Sequence, residues 1–347
     1  CYGGSGIEMN GGSIKDNTGG EAVIIKTEGA KAVFDGVTIS GNSGTFAGFE
    51  NGNELELKNC SVSSNVFETA TNNSTTRGGL ILNKGTLTID KCDITGTTFN
   101  NMSCILYSGD GTYNYITNSS FVGNLQSNHA NAESPVRLLG TAKGLIANCT
   151  FLQNGESYAS TSQGQGTILV SGTSTLYIIS TTMTRNTPYN YGGIRGDSNT
   201  ANLYLYNTVV AGNAASSTTK DMDVTGNYVK AKVNCALGTG TGGYAVAHFF
   251  DASSTEIFTS TAHYQYTGNC FNTVTTVANG TQVVPVKAAE RSASNYATNL
   301  ANAGMSKAQL TALSIDLGQG VFDSSVFGYD QAGNERTGTM IGAYVGD

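Results

Sequence analysis

Apolar and polar residues alternate along most of this chain, and one seven-residue form of the alternation returns eight times. The copies are residues 11–17, 36–42, 59–65, 91–97, 118–124, 148–154, 180–186 and 207–213, and their last positions step by 23 to 32 residues. The fourth position is always apolar: Ile14, Ile39, Val62, Ile94, Phe121, Phe151, Met183 and Val210. Two residues earlier the side chain is small or a thiol: Gly12, Val37, Cys60, Cys92, Ser119, Cys149, Thr181 and Thr208. Strand side chains alternate with period two, so both columns face one side, and the thiols read as small hydrophobes. The first position is often Asn, which tolerates a left-handed backbone and suits a sharp corner. Stacked corner Asn residues can bond from rung to rung. The last position is Asn in seven copies and Thr97 in the eighth.

Two further apolar runs precede several copies, as in Leu80-Ile81-Leu82 and Leu87-Thr88-Ile89 around Lys84-Gly85. Three short strands per repeat cannot bury an apolar face alone, but stacked in parallel they enclose a continuous interior. The pattern therefore predicts an all-β, right-handed, single-stranded parallel β-helix solenoid of about 8–10 coils with about three short strands each. A propeller would need longer four-stranded blades, and a hexapeptide helix a strict six-residue spacing.

Past Asn213 the repeat blurs. Val233-Asn234-Cys235-Ala236 reads as a degenerate rung, residues 237–286 are Thr- and Gly-rich, and residues 292–301 and 306–313 look helical, with Ser306 as N-cap. The expected division is residues 1–235 as β-helix repeats and 236–347 as degenerate coils and a C-terminal cap containing short helix. Such a cap would protect the open edge of the coil.

Composition narrows the partners. Charged residues are 12% of the chain, about half the usual share, and the net charge is −7. No basic stripe with interleaved aromatics invites nucleic acid, and no apolar run reaches the ~20 residues of a membrane helix. A monomer with a polar, uncharged exterior is expected. The seven cysteines form no CxxC pair and no metal-binding spacing, so few or no disulfides, no metal and no cofactor are expected. Cys1 lies inside a repeat and reads as a truncation point rather than a lipidated residue.

The repeat columns resemble the right-handed parallel β-helices of bacterial surface proteins, the pectin-lyase-like superfold. The Asn148–Asn154 type of segment and the pairs Gly11-Gly12, Gly78-Gly79 and Gly192-Gly193 are similar to polymorphic outer-membrane-type repeats. The tail, Asp330-Gln-Ala-Gly333-Asn-Glu-Arg336 and then Met340-Ile-Gly-Ala-Tyr344, resembles the end of choice-of-anchor Q β-helix proteins, although Val345 stands where that family usually has Glu. The resemblance implies export to the surface of a bacterium such as a member of the Bacteroidetes. That family has no single assigned activity, and a fold does not define one.

Some relatives of the superfold cleave polysaccharides. A lyase needs a base and a cation for the enolate, and a hydrolase two facing carboxylates. Neither motif is present. His129, His248 and His263 have no recognisable partner in the sequence. Asp35, Lys58 and Asp90 fall on successive rungs and read as an exposed ion ladder before a catalytic trio. Asp221 and Asp223, and Asp110 between two glycines, read as solvated turns before a Ca²⁺ site. Residues 238–243 lack the Lys-Ser/Thr of a phosphate loop. Arg185, Tyr189, Tyr191 and Arg195 flank a loop around Pro188, and such side chains suit sugar stacking and carboxylate binding. The sequence thus points to a secreted or cell-surface protein that binds a glycan or another surface without catalysis. A polysaccharide lyase or glycoside hydrolase is the alternative.

Overall fold

The chain is described by a computed structural model covering residues 6–20, 22–68, 78–100, 104–128, 134–156, 166–187, 192–213, 221–223, 225–238, 246–256, 271–286 and 304–345. Parallel sheets stack as a β-solenoid of about 7 turns. Four sheets run along the column. Sheet I has nine strands, from Ile7–Asn10 to Val229–Val233, and sheet II has ten, from Ser13–Lys15 to Val246–Phe250. Sheet III has six short strands and sheet IV seven, from Ala22–Thr27 to Ile194–Gly196.

A coil therefore holds four strands rather than the three expected. In one coil Val136–Leu138 lies in sheet IV, Lys143–Ala147 in sheet I, Thr150–Leu152 in sheet II and Gly155–Glu156 in sheet III. The fourth escapes sequence reading because a two-residue strand such as Thr18–Gly19 or Ser43–Gly44 has no alternation to display. The solenoid has about 7 turns, against the 8–10 coils expected.

Two left-handed corners set the repeat. The first, between sheets I and II, falls on Gly36, Asn59, Lys91, Asn118, Asn148, Ser180, Asn207 and Asn234, with φ between 46° and 65°. The second, between sheets II and III, falls on Gly41, Ser64, Gly96, Gly123, Gln153, Arg185 and Gly212, with φ between 54° and 70°. Gly and Asn enter this region at little cost, and the buried strands on either side hold the other residues there.

At the first corner the expected rung-to-rung bonding is present from Asn148 Nδ2 to Asn118 Oδ1 at 3.3 Å, but the main Asn ladder lies elsewhere. It runs through the last position of the repeat, inside the second corner, where Asn42, Asn65, Asn124, Asn154, Asn186 and Asn213 are fully buried. Except at Asn124, whose predecessor is Thr97 and gives only its N–H, the Oδ1 of each accepts both the N–H and the Nδ2 of its predecessor: Asn154 bonds Asn186 through both at 2.9 Å, and Asn186 bonds Asn213 at 3.0 and 2.7 Å. The Nδ2 also donates to an inner-strand carbonyl, as from Asn154 to Phe121 O at 2.8 Å. Asp221 ends the ladder, accepting from Asn213 N and Nδ2 at 2.8 and 2.6 Å.

Thiols and hydroxyls in the second column do more than fill space. Cys149 Sγ donates to Ala147 O at 3.2 Å, Ser119 Oγ to Thr117 O at 2.6 Å, Thr181 Oγ1 to Ile179 O at 3.0 Å and Thr208 Oγ1 to Tyr206 O at 2.9 Å. Each satisfies the buried carbonyl that precedes a corner, which is why Cys, Ser and Thr interchange there. Burial pushes the Cys149 and Cys235 thiols up to about 12, so they stay protonated and inert. Inward from them the apolar column is continuous, and Phe121 and Phe151 stack at 4.6 Å.

Among the described residues, the C-terminal segment meets the coil both at its last edge and along a flank. The antiparallel strand Val246–Phe250 closes the last edge of sheet II, with Lys232 Nζ over the Phe250 ring at 4.5 Å. The remainder turns back along the flank as a strap. The helix Lys307–Thr311 carries the expected Ser306 cap, as a capping box with Gln309. The expected helix at 292–301 lies outside the described residues. Beneath the strap, the outward faces of the later coils are apolar. Leu145, Ala147 and Ile179 of sheet I pack on Met305, Leu310, Ile315, Leu317 and Phe327. Val122, Leu152 and Val209 of sheet II pack on Phe271, Val284 and Ile341. An end cap would leave this face wet, so the strap lies sideways.

The tail motif is the latch of the strap. Arg336, 2% exposed, donates from Nε to Tyr329 O at 3.0 Å, from Nη1 to Met340 O at 3.2 Å, and from Nη2 to Gly342 O at 2.8 Å and Asn148 Oδ1 at 3.3 Å. Burial lowers its guanidinium to about 10, still charged at neutral pH. Buried Asp330 accepts from Ala332 N, Asn334 N and Val345 N, and Gln331 accepts from Thr150 Oγ1 at 2.7 Å. The corner residues join in: Asn148 Nδ2 donates to Val326 O at 3.1 Å, and Asn207 Nδ2 to Met340 O at 3.1 Å.

Candidate functional site

Sheet I has two outer regions. Ahead of the strap its outward side chains are Lys31, Val33 and Asp35, then Glu54, Glu56 and Lys58, then Thr86, Thr88 and Asp90, in register coil by coil. The next coil presents Tyr113, Tyr115 and Thr117, and from there the strap covers much of the face. The predicted register of Asp35, Lys58 and Asp90 is present, but Lys58 forms its ion pair with Glu56 on its own strand. Asp35 accepts from Asn59 Nδ2 at 2.7 Å, and Asp90 from Thr117 Oγ1 at 2.7 Å and Asn118 Nδ2 at 2.8 Å. Lys31 bridges Glu54, at 2.7 Å, and Glu56. Partial burial opposes ionisation of Glu56, but hydrogen bonds and charge from Lys31 and Lys58 outweigh it and bring the carboxyl down to about 2. Hydrogen bonds that Lys31 donates to Glu54 and Glu56 raise its pKa, the opposite of what a lysine base needs.

At the boundary between these regions is a cleft of about 360 Å³. One wall is the solenoid, with Thr88, Tyr115 and Thr117; the other is the strap, with Ile315, Leu317, Gln319, Gly320, Val321, Phe322 and Asp323. Phe322 stacks on Tyr115 at 5.9 Å and 12°, and on Phe327 at 5.6 Å. The strap side is a small hairpin, in which Phe322 N donates to Ile315 O at 2.8 Å and Gly318 N to Asp316 Oδ1 at 2.6 Å. Gly318 has φ +86°, and a Cβ there would stand 2.9 Å from Lys143 Nζ. A side chain would be strained and would crowd the lysine, so Gly keeps the hairpin low on the sheet. Val321 is 68% exposed at the rim.

Of the four residues expected from sequence to form a site, the described ones are Arg185 and Arg195. Arg185 is a second-corner residue with φ 56°, its N–H bonded to Gly212 O at 3.1 Å. Arg195 lies in sheet IV beside Leu169, on another face. Tyr189 and Tyr191 lie outside the described residues, as do His129 and His263. His248 does have a carboxylate partner, Glu256, through Nδ1. Asp221 and Asp223 do not converge: Asp221 is fully buried at the end of the Asn ladder, and Asp223 caps a turn by accepting from Thr225 N and Oγ1. Asp110 holds the adjacent coil's turn, accepting from Thr141 N at 2.9 Å.

Sequence reading missed Tyr115, Phe322 and Val321, although a signal was there. The outward positions of sheet I change from Glu, Lys and Thr to Tyr, Leu and Ile at residue 113, which marks where another part of the chain must cover them. No helix among the described residues is long and apolar enough to cross a membrane. Compared with known proteins, the chain matches no family model, and neither a curated protein nor a solved structure is significantly similar to it.

Proposed function

We propose that this chain is a secreted or cell-surface bacterial β-helix protein, of the pectin-lyase-like kind, that binds a glycan without cleaving it. The observation that carries the reading is the cleft between strap and solenoid, where Tyr115, Phe322 and exposed Val321 stand beside Thr88, Thr117, Gln319 and Asp323. Apolar ring surface with a few directed polar groups is the usual chemistry of a small-ligand site, and it suits sugars, which have C–H faces and hydroxyl edges. Export is supported by the low charge and the tail resemblance.

The Lys31–Glu54–Glu56–Lys58 cluster on the same face is the feature that favours an enzyme. Its charges neutralise one another and Lys31 is raised, so binding remains the preferred function. A glycan array together with polysaccharide pull-down tests the proposal. Retention of at least one glycan, with no new reducing ends and no unsaturated product, is expected. No retention on any glycan would sink it, and product formation would establish the enzyme instead.

A further inference from the structure

The cleft also carries information about the charge of its ligand. We infer that it takes a neutral sugar chain, and not the uronate polymers that the resemblance brings to mind; this rests on the glycan-binding reading above. Asp323 is the one carboxylate among the lining residues, which include no Lys, Arg or His. Two more carboxylates border the cleft: Asp90 bonds the lining residue Thr117, and Asp316 opens the hairpin that forms the outer wall. Two lysines stand outside the lining: Lys58 is paired with Glu56, and Lys143 Nζ lies over the Tyr113 ring at 5.7 Å, beneath the hairpin at Gly318. A carboxylated sugar seated here would meet carboxylates with no cation among the lining residues to offset them, and such like-charge contact should weaken binding by about tenfold or more.

The same carboxylates suit a neutral sugar. Each is oriented by local donors: Asp90 by Thr117 and Asn118, Asp316 by Gly318 N–H, and Asp323 by Ser325 N–H at 3.0 Å. Carboxylates of fixed orientation are strong acceptors for sugar O–H donors. The stacked Tyr115–Phe322 pair supplies the apolar wall and Val321 the exposed lip. The open rungs before the cleft, with Thr86 and Thr88 nearest, continue sheet I away from it, and further units of a sugar chain would lie along them.

Titration calorimetry of the full chain with neutral oligosaccharides (cello-, xylo- and manno-oligosaccharides), oligogalacturonates and chitosan oligomers tests this. Binding of at least one neutral oligosaccharide, insensitive to salt, is expected. Val321→Ser should weaken it about tenfold, by loss of one buried apolar side chain. Gln319→Ala should weaken it less. Both positions are exposed, and an unchanged melting temperature would show that the fold is intact. Binding of oligogalacturonate alone would overturn the neutral-ligand inference and leave glycan binding standing. Salt-sensitive binding of chitosan alone would overturn it in favour of charge pairing. Binding of nothing would remove both readings, and undiminished neutral binding by Val321→Ser would remove the cleft as its site.

Discussion

Thr97 breaks the buried Asn ladder, and repairing the break should stabilise the solenoid. Thr97 replaces the Asn of the repeat between Asn65 and Asn124, and its Oγ1 is fully buried without a hydrogen bond. Its backbone N–H still donates to Asn124 Oδ1 at 3.1 Å, so the rung is correctly placed for an amide. By analogy with Asn154, the substitution Thr97→Asn adds four bonds. Asn65 N–H and Nδ2 gain an acceptor, and the new Nδ2 reaches Asn124 Oδ1 and the carbonyl of Val62, the counterpart of Phe121 O. A buried hydrogen bond nets about 0.5–1.5 kcal/mol, and fitting one extra heavy atom offsets part of the sum, which leaves about 1–3 kcal/mol. With an unfolding entropy of about 2.1 cal/mol/K per residue over 347 residues, the melting temperature should rise by about 1–4 °C. Thermal and denaturant unfolding measure this, with Thr97→Val as the control that removes the orphan hydroxyl without rebuilding the ladder. Hydrogen exchange separates the two: the Asn65 amide should slow in Thr97→Asn and not in Thr97→Val. A lower melting temperature for Thr97→Asn, or equal gains in both variants with Asn65 exchange unchanged, would refute the reasoning.

Arg336→Met should cost about 3–5 kcal/mol, because four buried acceptors lose their donor. Limited proteolysis should then cut the strap while the solenoid survives, with new dye binding to the face around Leu145 and Ile179. Burial raises the Asp93 carboxyl above the ordinary aspartate range, against hydrogen bonds from Ser120 and Gln282. A raised folded value favours the folded state fully below the unfolded pKa and loses that contribution as pH rises through the folded one. Asp93→Asn should therefore be more stable than the natural chain at pH 7, and the difference should vanish on acidification below the ordinary aspartate range; a constant difference across that pH series would refute the assignment. Glu56 has the opposite sign. Its contribution is present above the ordinary glutamate range and is lost as pH falls toward 2, so Glu56→Gln should cost about 1–2 kcal/mol at pH 7, a value discounted for its solvent-facing lysines. Cys149 should resist thiol reagents in the folded chain and react on unfolding; Cys149→Ser, which keeps the donor to Ala147 O, should be better tolerated than Cys149→Ala.

Much of this architecture is local, and therefore legible in the sequence. Period-two alternation put Phe121, Phe151 and Met183 in the interior, and residues that tolerate a left-handed backbone marked the first corner at Asn118, Asn148 and Asn207. A rung repeats the same local physics, so eight copies reinforce one reading. At the second corner Gly41, Gly96, Gly123 and Gly212 carry the same preference, while Ser64, Gln153 and Arg185 do not and are held there by their neighbours. The side-chain chemistry of the ladder was hidden, since an Asn at a corner and an Asn within one look alike until the next coil is stacked on them. The cleft depended wholly on tertiary structure. Tyr115 and Phe322 are 207 positions apart, and no periodicity connects them; they meet because an apolar outer face recruits the tail, and Arg336 locks it at Asn148. The sequence by itself determined a stacked coil with its core columns and first corners, because those follow from each residue's own backbone and polarity. Where the strap lies, and what it encloses with the outer face of sheet I, was decided only by the folded chain, because that depends on the fit of two distant surfaces.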